Sequence, residues 1–252
     1  MFTFATFVVY LQENETVRNN LKSKHMRITN LMKTAVVATI AMLAANFDME
    51  AKNIKLPAPE RAGGMPMNEV VANRHSVRVF DPAREVETAK LGQALWLSVG
   101  VNRPDAKPEK NGHAANRSNP TAMNWQEIEA YVFGKAGVWK YEPATHALTQ
   151  VCEGDHRSLI AGTAEFSQDF VLDAPYSVVF VANMEGLPEG DRTSMMAMVD
   201  AGIACENFNL AAVSLGLATV PRATMDSAAI ARLLGLTEAQ VPVINNPVGY
   251  AK

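Results

Sequence analysis

The stretch NRHSVRVFD, Asn73 to Asp81, sets two arginines, a histidine and a serine between Arg74 and Arg78, just ahead of an apolar residue and a turn. In an extended chain successive side chains point to opposite sides, so Arg74, Ser76 and Arg78 would share one face. Two guanidinium groups and a hydroxyl so placed suit a phosphate monoester with a hydrogen-bonding tail, because guanidinium–phosphate bonds are charge-assisted and often bidentate. The competing reading is a solvated basic turn, since arginine pairs are common on protein surfaces.

Other chemistries find less support. His25, His75, His113, His146 and His156 are scattered, without the HExxH or paired-carboxylate spacing of metal catalysis, so no metal site is expected. Cys152 and Cys205 form neither a CxxC nor a metal-ligand spacing, and whether they pair stays open. No GxGxxG follows a strand and no GxxxxGK[ST] occurs, which excludes the usual dinucleotide and P-loop signatures. With a net charge of -3 and a pI near 6.0, the chain offers no broad attraction to nucleic acid or anionic lipid, so an anion site must be local.

The elements that position these residues follow from periodicity. Helical spacing runs over Met67–Asn73 and again over Glu85–Val99, with the extended basic segment and an Asp81–Pro82 turn between them. Residues 101–120 form a long polar loop of the kind that carries function. Strands are expected at EIEAYVF and across GVWKYEPATHALTQV, where EPATH forms a hairpin tip. A helix is expected over GDHRSLIAGTAEFSQDF, a buried strand at APYSVVFVANM, and a long helix apolar on most sides over Ser194–Leu215. Its Met195, Met196 and Met198 read as core filler, and Trp96, Trp125 and Trp139 as packing residues. A short extended piece, a helix capped by Asp226 and a terminal strand VPVINNPVGYAK complete the chain. Mixed elements without strict βαβ alternation, together with a hairpin, indicate an α+β fold.

At the N-terminus, Lys22, Lys24, Arg27 and Lys33 precede the apolar run TAVVATIAMLAA. That order is one of an export signal, and the run is too short for a stable membrane span, which needs about 20 residues. The chain is therefore expected to be exported or periplasmic if this signal is real, and cytoplasmic otherwise. Residues 1–50 are read as an export signal or disordered segment, 51–66 as a Pro/Gly-rich linker, and 67–252 as the folded domain.

Beyond composition and spacing, the sequence resembles the nitroreductase family. RHSVRVF, Arg74 to Phe80, matches the family's R-[RH]-S-x-[RK]-x-[FY]; PTAMNWQ, Pro120 to Gln126, is similar to its P-S-[AS]-x-N-x-Q; DAGIACENFNLAAVSLGLATVPRA resembles its central helix and the segment beyond; VGYAK resembles its closing strand. ALWLSVGVNRPD, with Trp96, Asn102 and Arg103, is similar to the SagB-like branch. Two departures stand out: Thr121 replaces a serine, and Ala223 stands where many members have a glutamate.

The resemblance implies a nitroreductase-like α+β fold, with a mainly antiparallel central sheet, flanking helices and the long helix at a dimer interface. It implies FMN as cofactor, a homodimer, and ping-pong transfer from NAD(P)H to nitroaromatics, quinones or similar electrophiles; a flavin-binding envelope protein with little turnover is the alternative. It further implies that Arg74 and Arg78, with His75 and Ser76, hold the FMN phosphate, ribityl and pyrimidine edges. Pro120, Thr121, Ala122 and Asn124 would approach the flavin from a partner subunit. Pro221, Arg222 and Ala223 would line its N5 side, and Gln168 its O2 and N1 region. No catalytic side chain is expected, because the chemistry belongs to the cofactor.

Overall fold

Alternating apolar residues on both faces of several strands require cover on two sides, and a sheet between two helical layers provides it. A computed structural model describes residues 53–107 and 116–252. In chain order these form β1 (Asn53–Lys55), α1 (Met67–Asn73), α2 (Thr88–Val99), β2 (Val101–Arg103), β3 (Asn116–Arg117), β4 (Ile128–Gly134), β5 (Gly137–Glu142) and β6 (Ala147–Glu153). There follow α3 (Ser158–Ala161), β7 (Tyr176–Asn183), α4 (Asp191–Ser214), β8 (Ala218–Thr219), α5 (Ser227–Leu234) and β9 (Gln240–Gly249). Short 3-10 turns occupy Ala122–Asn124 and Asp169–Asp173. The expected α+β class holds, with a central antiparallel sheet flanked by helices: one seven-stranded sheet, ordered β1-β6-β5-β4-β7-β9-β8, has every neighbouring pair antiparallel.

Strand parity sorts the core into two halves. Ile128, Ala130 and Val132 of β4 and Val178, Phe180 and Ala182 of β7 pack with Leu91, Leu95, Ala201, Ala204 and Phe208 of α2 and α4. The intervening Tyr131, Phe133, Val179 and Val181 face the other way, onto Ile160 of α3, Val171 and Ile230 of α5. The two-residue period of the pleat thus builds both layers from the same strands. A smaller cluster of Phe80, Ala174 and Ala218, with Val77 and Phe170 against it, lies under the basic segment.

Several boundaries differ from the expectation. Part of the presumed linker belongs to the fold: β1 pairs with β6, and Ile54 and Leu56 are buried in the main core. The long polar loop contains a two-stranded β2–β3 pair, Val101 opposite Arg117. The helix expected over Gly154–Phe170 shrinks to the four residues of α3. Gly162, at φ +151, stops it; a Cβ there would collide with the Phe166 carbonyl oxygen, and the chain doubles back through Thr163 N to Phe166 O and Gln168 N to Ala161 O bonds. The Met cluster is corrected too. Met195 is 54% exposed and Met198 39%, because only one face of α4, through Ala197, Ala201, Ala204 and Phe208, is buried. Trp96 and Trp139 are buried as packing residues.

The N-terminal segment 1–50, with the export signal read in it, lies outside the described residues. Among the described residues, no helix is long and apolar enough to cross a membrane, and no group of His, Cys, Asp or Glu could hold a metal ion.

Candidate functional site

The basic segment begins where α1 ends. Arg74 closes that helix by donating its backbone N–H to Val70 O, then turns extended at φ -63, ψ 120. From there the chain is laid against the end of the molecule: Val77 N donates to Thr219 O of β8 at 3.1 Å, Asp81 N to Tyr250 O at 2.9 Å, and Lys252 N to Val79 O at 3.3 Å. Tyr250 is itself gripped. Its hydroxyl donates to Glu87 and accepts from Lys90 of α2, and Arg84 lies 3.3 Å over its ring. Val77 packs inward while Ser76 and Arg78 on either side are exposed, the alternation of an extended strand. His75 is exposed, its Nδ1 2.8 Å from Asn73 O. Among the described residues, neither the Arg74 nor the Arg78 guanidinium is hydrogen-bonded or ion-paired.

Behind Arg78 sits a third guanidinium, Arg222, nearly buried. It is held by neutral groups only: Nε donates to Gln168 Oε1 at 3.0 Å, Nη1 to Asn245 Oδ1 at 3.0 Å and Ile160 O at 2.8 Å, and Nη2 to Ala161 O at 3.2 Å. Its ring neighbour is Phe170, 5.5 Å away. Burial, and then the nearby charge of Arg78, push its pKa down to about 10, so it is still cationic at neutral pH. A buried cation without a carboxylate partner is a strong local source of positive potential.

Asn245, in mid-strand on β9, organises the adjoining segment. Its backbone exchanges two hydrogen bonds with Arg222, at 2.9 and 2.8 Å, and its side chain also donates to Thr224 O. Pro221 and Arg222 are thereby docked on the sheet, while Ala223 is exposed and its N–H has no partner among the described residues. Of the expected site residues, the structure therefore brings Arg74, His75, Ser76, Arg78, Gln168, Pro221, Arg222 and Ala223 to one side of the β8–β9 end of the sheet.

Pro120, Thr121, Ala122 and Asn124 form a separate group. They lie in a tight turn with positive φ at Met123, Asn124 and Gln126, pinned by Ala122 N to Asp200 Oδ2 of α4 at 2.7 Å and by Gln126 N to Thr121 Oγ1 at 2.9 Å. Asn124 Nδ2 donates to Asn116 Oδ1 at 3.0 Å. Thr121 therefore does the turn-bracing work its hydroxyl permits. No hydrogen bond among the described residues joins this turn to the Arg74–Arg222 group.

Sequence reasoning missed Asp200, Glu127, Asn245 and Asn246, all buried. The signals were present: a charge inside an apolar helix (MVDAG) and twin asparagines inside an apolar strand (VINNPV). Asn246 points away from Asn245, accepting from Cys205 Sγ and donating to Asn209 Oδ1 and Thr219 Oγ1, and so ties α4 and β8 to β9. The cysteine pairing is settled here: both thiols are free.

Chemically, the gathered set offers two unpaired guanidinium groups, a buried cation and a free backbone N–H on one side of a rigid sheet. Such a set has the chemistry to receive an anion, with a directional donor beside it. The chain matches the model of the Nitroreductase family over residues 71–250. It is 26% identical over 202 residues to a protein of Methanocaldococcus jannaschii assigned as a nitroreductase, covering 79% of this chain and 97% of that one. The crystal structure of a protein of the same assignment from Ralstonia eutropha superposes with a TM-score of 0.69 at 31% identity, over 81% of this chain and 91% of that one. A nitroreductase family protein of Clostridium novyi shares the fold at 19% identity, with a TM-score of 0.52 over 75% and 86% of the two chains.

Proposed function

Because the chain belongs to the nitroreductase family of flavin oxidoreductases, we propose that it binds FMN and reduces nitroaromatics, quinones or similar electrophiles in a ping-pong cycle fed by NAD(P)H. The observation that carries this reading is the unpaired Arg74 and Arg78 pair set against the buried, carboxylate-free Arg222. The donor set fits the cofactor: guanidinium groups for a phosphate and polar tail, a free N–H for a ring nitrogen, and no acidic side chain bonded to the cluster to oppose an anion. FMN bound there would supply the electron-transfer chemistry, and the protein supplies placement and electrostatics.

In this reading Arg74 and Arg78 bind the phosphate, ribityl and pyrimidine edges, and His75 and Ser76 add hydrogen bonds. The Ala223 N–H serves the N5 side, where an alanine functions as well as a glutamate because the donor is backbone. Arg222 acts from behind that surface, since its side chain is turned inward, and favours negative charge on the pyrimidine side. Gln168 holds Arg222 through Oε1 and keeps its amide N–H groups for the O2 and N1 region. Pro120, Thr121, Ala122 and Asn124 serve the site of a second subunit in a homodimer.

An absorbance spectrum of the purified protein tests the cofactor: flavin bands in stoichiometric amount support it, and colourless protein that takes up no FMN sinks it. NADPH or NADH oxidation with nitrofurazone or menadione then tests turnover. Flavin-loaded protein that oxidises neither would leave a flavin-binding protein without this activity.

A further inference from the structure

Asp200 and Glu127 are buried acids with no role in the cationic cluster. Asp200 lies in the middle of α4, 4% exposed, and its Oδ2 accepts the Ala122 N–H. Glu127, the residue joining the Pro120–Gln126 turn to β4, is 5% exposed, and both of its carboxylate oxygens are buried without a hydrogen-bond donor. An ionised carboxylate in such a place, next to a second one, is strongly disfavoured.

We propose that Glu127 and Asp200 share a proton and so act as positioning residues that hold the Pro120–Gln126 turn against α4, and that loss of this proton releases the turn. The proposal rests on the reading of that turn as part of a flavin site. A protonated Glu127 can donate to Asp200, which leaves Asp200 free to accept Ala122 N–H. One proton thus joins the two acids while the turn keeps its anchor on Asp200. Burial, with Asp200 adding to it, pushes the Glu127 carboxyl up to about 8.

The charged groups facing Glu127 are Asp200 from α4 and Arg117 from β3. Arg117 does not neutralise Glu127 alone: its Nη1 donates to Ile128 O at 2.6 Å and its charge is shared with Glu129 and Glu142. Glu129 is satisfied by Lys140 at 2.8 Å and Asn183 at 3.1 Å. From β7, Asn183 contributes only a backbone N–H to the Glu127 carbonyl. The turn itself is strained, with φ near +50 to +55 at three non-glycine residues, Met123, Asn124 and Gln126. Its anchors therefore decide whether it stays closed. Deprotonation puts two buried charges side by side. The Glu127 side chain, at the end of the turn where it meets β4, then swings to water and frees the turn from α4.

Trp125 sits inside the turn and reports its state. In the full chain without flavin, its fluorescence should show a one-proton transition centred near pH 8 between pH 6 and 9.5, a signal that Trp125→Phe removes. The transition should vanish in Glu127→Gln and move to lower pH in Asp200→Asn, where the new amide gives Glu127 a donor. In the FMN-loaded protein, release should accelerate about tenfold from pH 7 to 9, the rise in ionised fraction of one such group, and stay flat in Glu127→Gln. A flat wild-type trace, or an unchanged transition in Glu127→Gln, overturns the proposal. Protein that takes up no FMN removes the cofactor reading, while the Trp125 titration still decides this one.

Discussion

At the scale of single residues, the contrast between Arg74 and Arg222 is the informative one. Arg222 spends its donors on Gln168, Asn245 and two carbonyls, so its replacement would damage the fold along with the site. Arg74 is half-exposed and its guanidinium is committed to nothing described, so Arg74→Ala should leave thermal stability nearly unchanged. Removing a charge-assisted bond worth about 1.5–3 kcal/mol should weaken FMN binding roughly 10- to 150-fold. Isothermal titration of apo-protein with FMN checks this, and unchanged affinity would remove Arg74 from the phosphate site. Glu127 makes a second prediction, on stability. Burial beside Asp200 raises its folded pKa to about 8 from the ordinary glutamate value of 4.5, so folding takes up a proton between those values. The full stability is present below about pH 4.5 and is lost progressively as pH rises to about 8. Glu127→Gln should therefore be more stable than wild type at pH 8, by on the order of 3 kcal/mol, with the advantage shrinking toward pH 5. Urea unfolding at the two pH values measures it.

At the scale of elements, the hinge after α3 has a sharp physical requirement. Gly162 is at φ +151 with no room for a Cβ, and the turn it permits places Gln168 beside Arg222. Gly162→Ala should destabilise the protein by about 1–3 kcal/mol, a fall of several degrees in Tm for a domain of this size. If FMN binds near Gln168, its affinity falls as well; an unchanged Tm would show that the turn is not so constrained. The same hinge marks what could be read from sequence. Strands β4 to β7, the 24-residue α4 and the Asp226 cap, whose side chain accepts from Ala229 N, were legible because periodicity and capping are local signals. The run from Gly154 to Phe170 was not, because helical composition was overruled by one glycine whose conformation is set by tertiary contact. The first residues of the linker were misjudged for a similar reason: Asn53–Lys55 has no strand pattern of its own and becomes a strand by pairing with β6. In the site, the arginine motif was legible by type and spacing, whereas Asp200, Glu127, Asn245 and Asn246 matter through burial, which a lone polar letter in an apolar run signals only faintly.

At the scale of the whole molecule, the outward face of α4 carries apolar side chains that a second copy of the chain would cover. Met195, Met198 and Val199 are exposed on it, and Met123 is 78% exposed on the turn that Asp200 anchors to the same helix. Exposed apolar side chains grouped on a helix and an adjoining turn are the mark of an association surface, and a turn that serves a neighbour's cofactor must sit on such a surface. The two features predict one another: if Pro120–Asn124 reaches the site of a second copy, the Met-bearing face of α4 is buried in the same contact. Met198→Glu places a charge in that contact and should cost about 2 kcal/mol or more on desolvation. The mass measured by light scattering should shift from dimer toward monomer. FMN affinity should fall with it although Arg74, Arg78 and Ala223 are untouched, and it should recover with rising protein concentration, because association and cofactor binding are linked by mass action. A monomeric Met198→Glu protein that still binds FMN as tightly as wild type would show that the site is complete within one chain, and that the turn at Pro120 serves the fold alone.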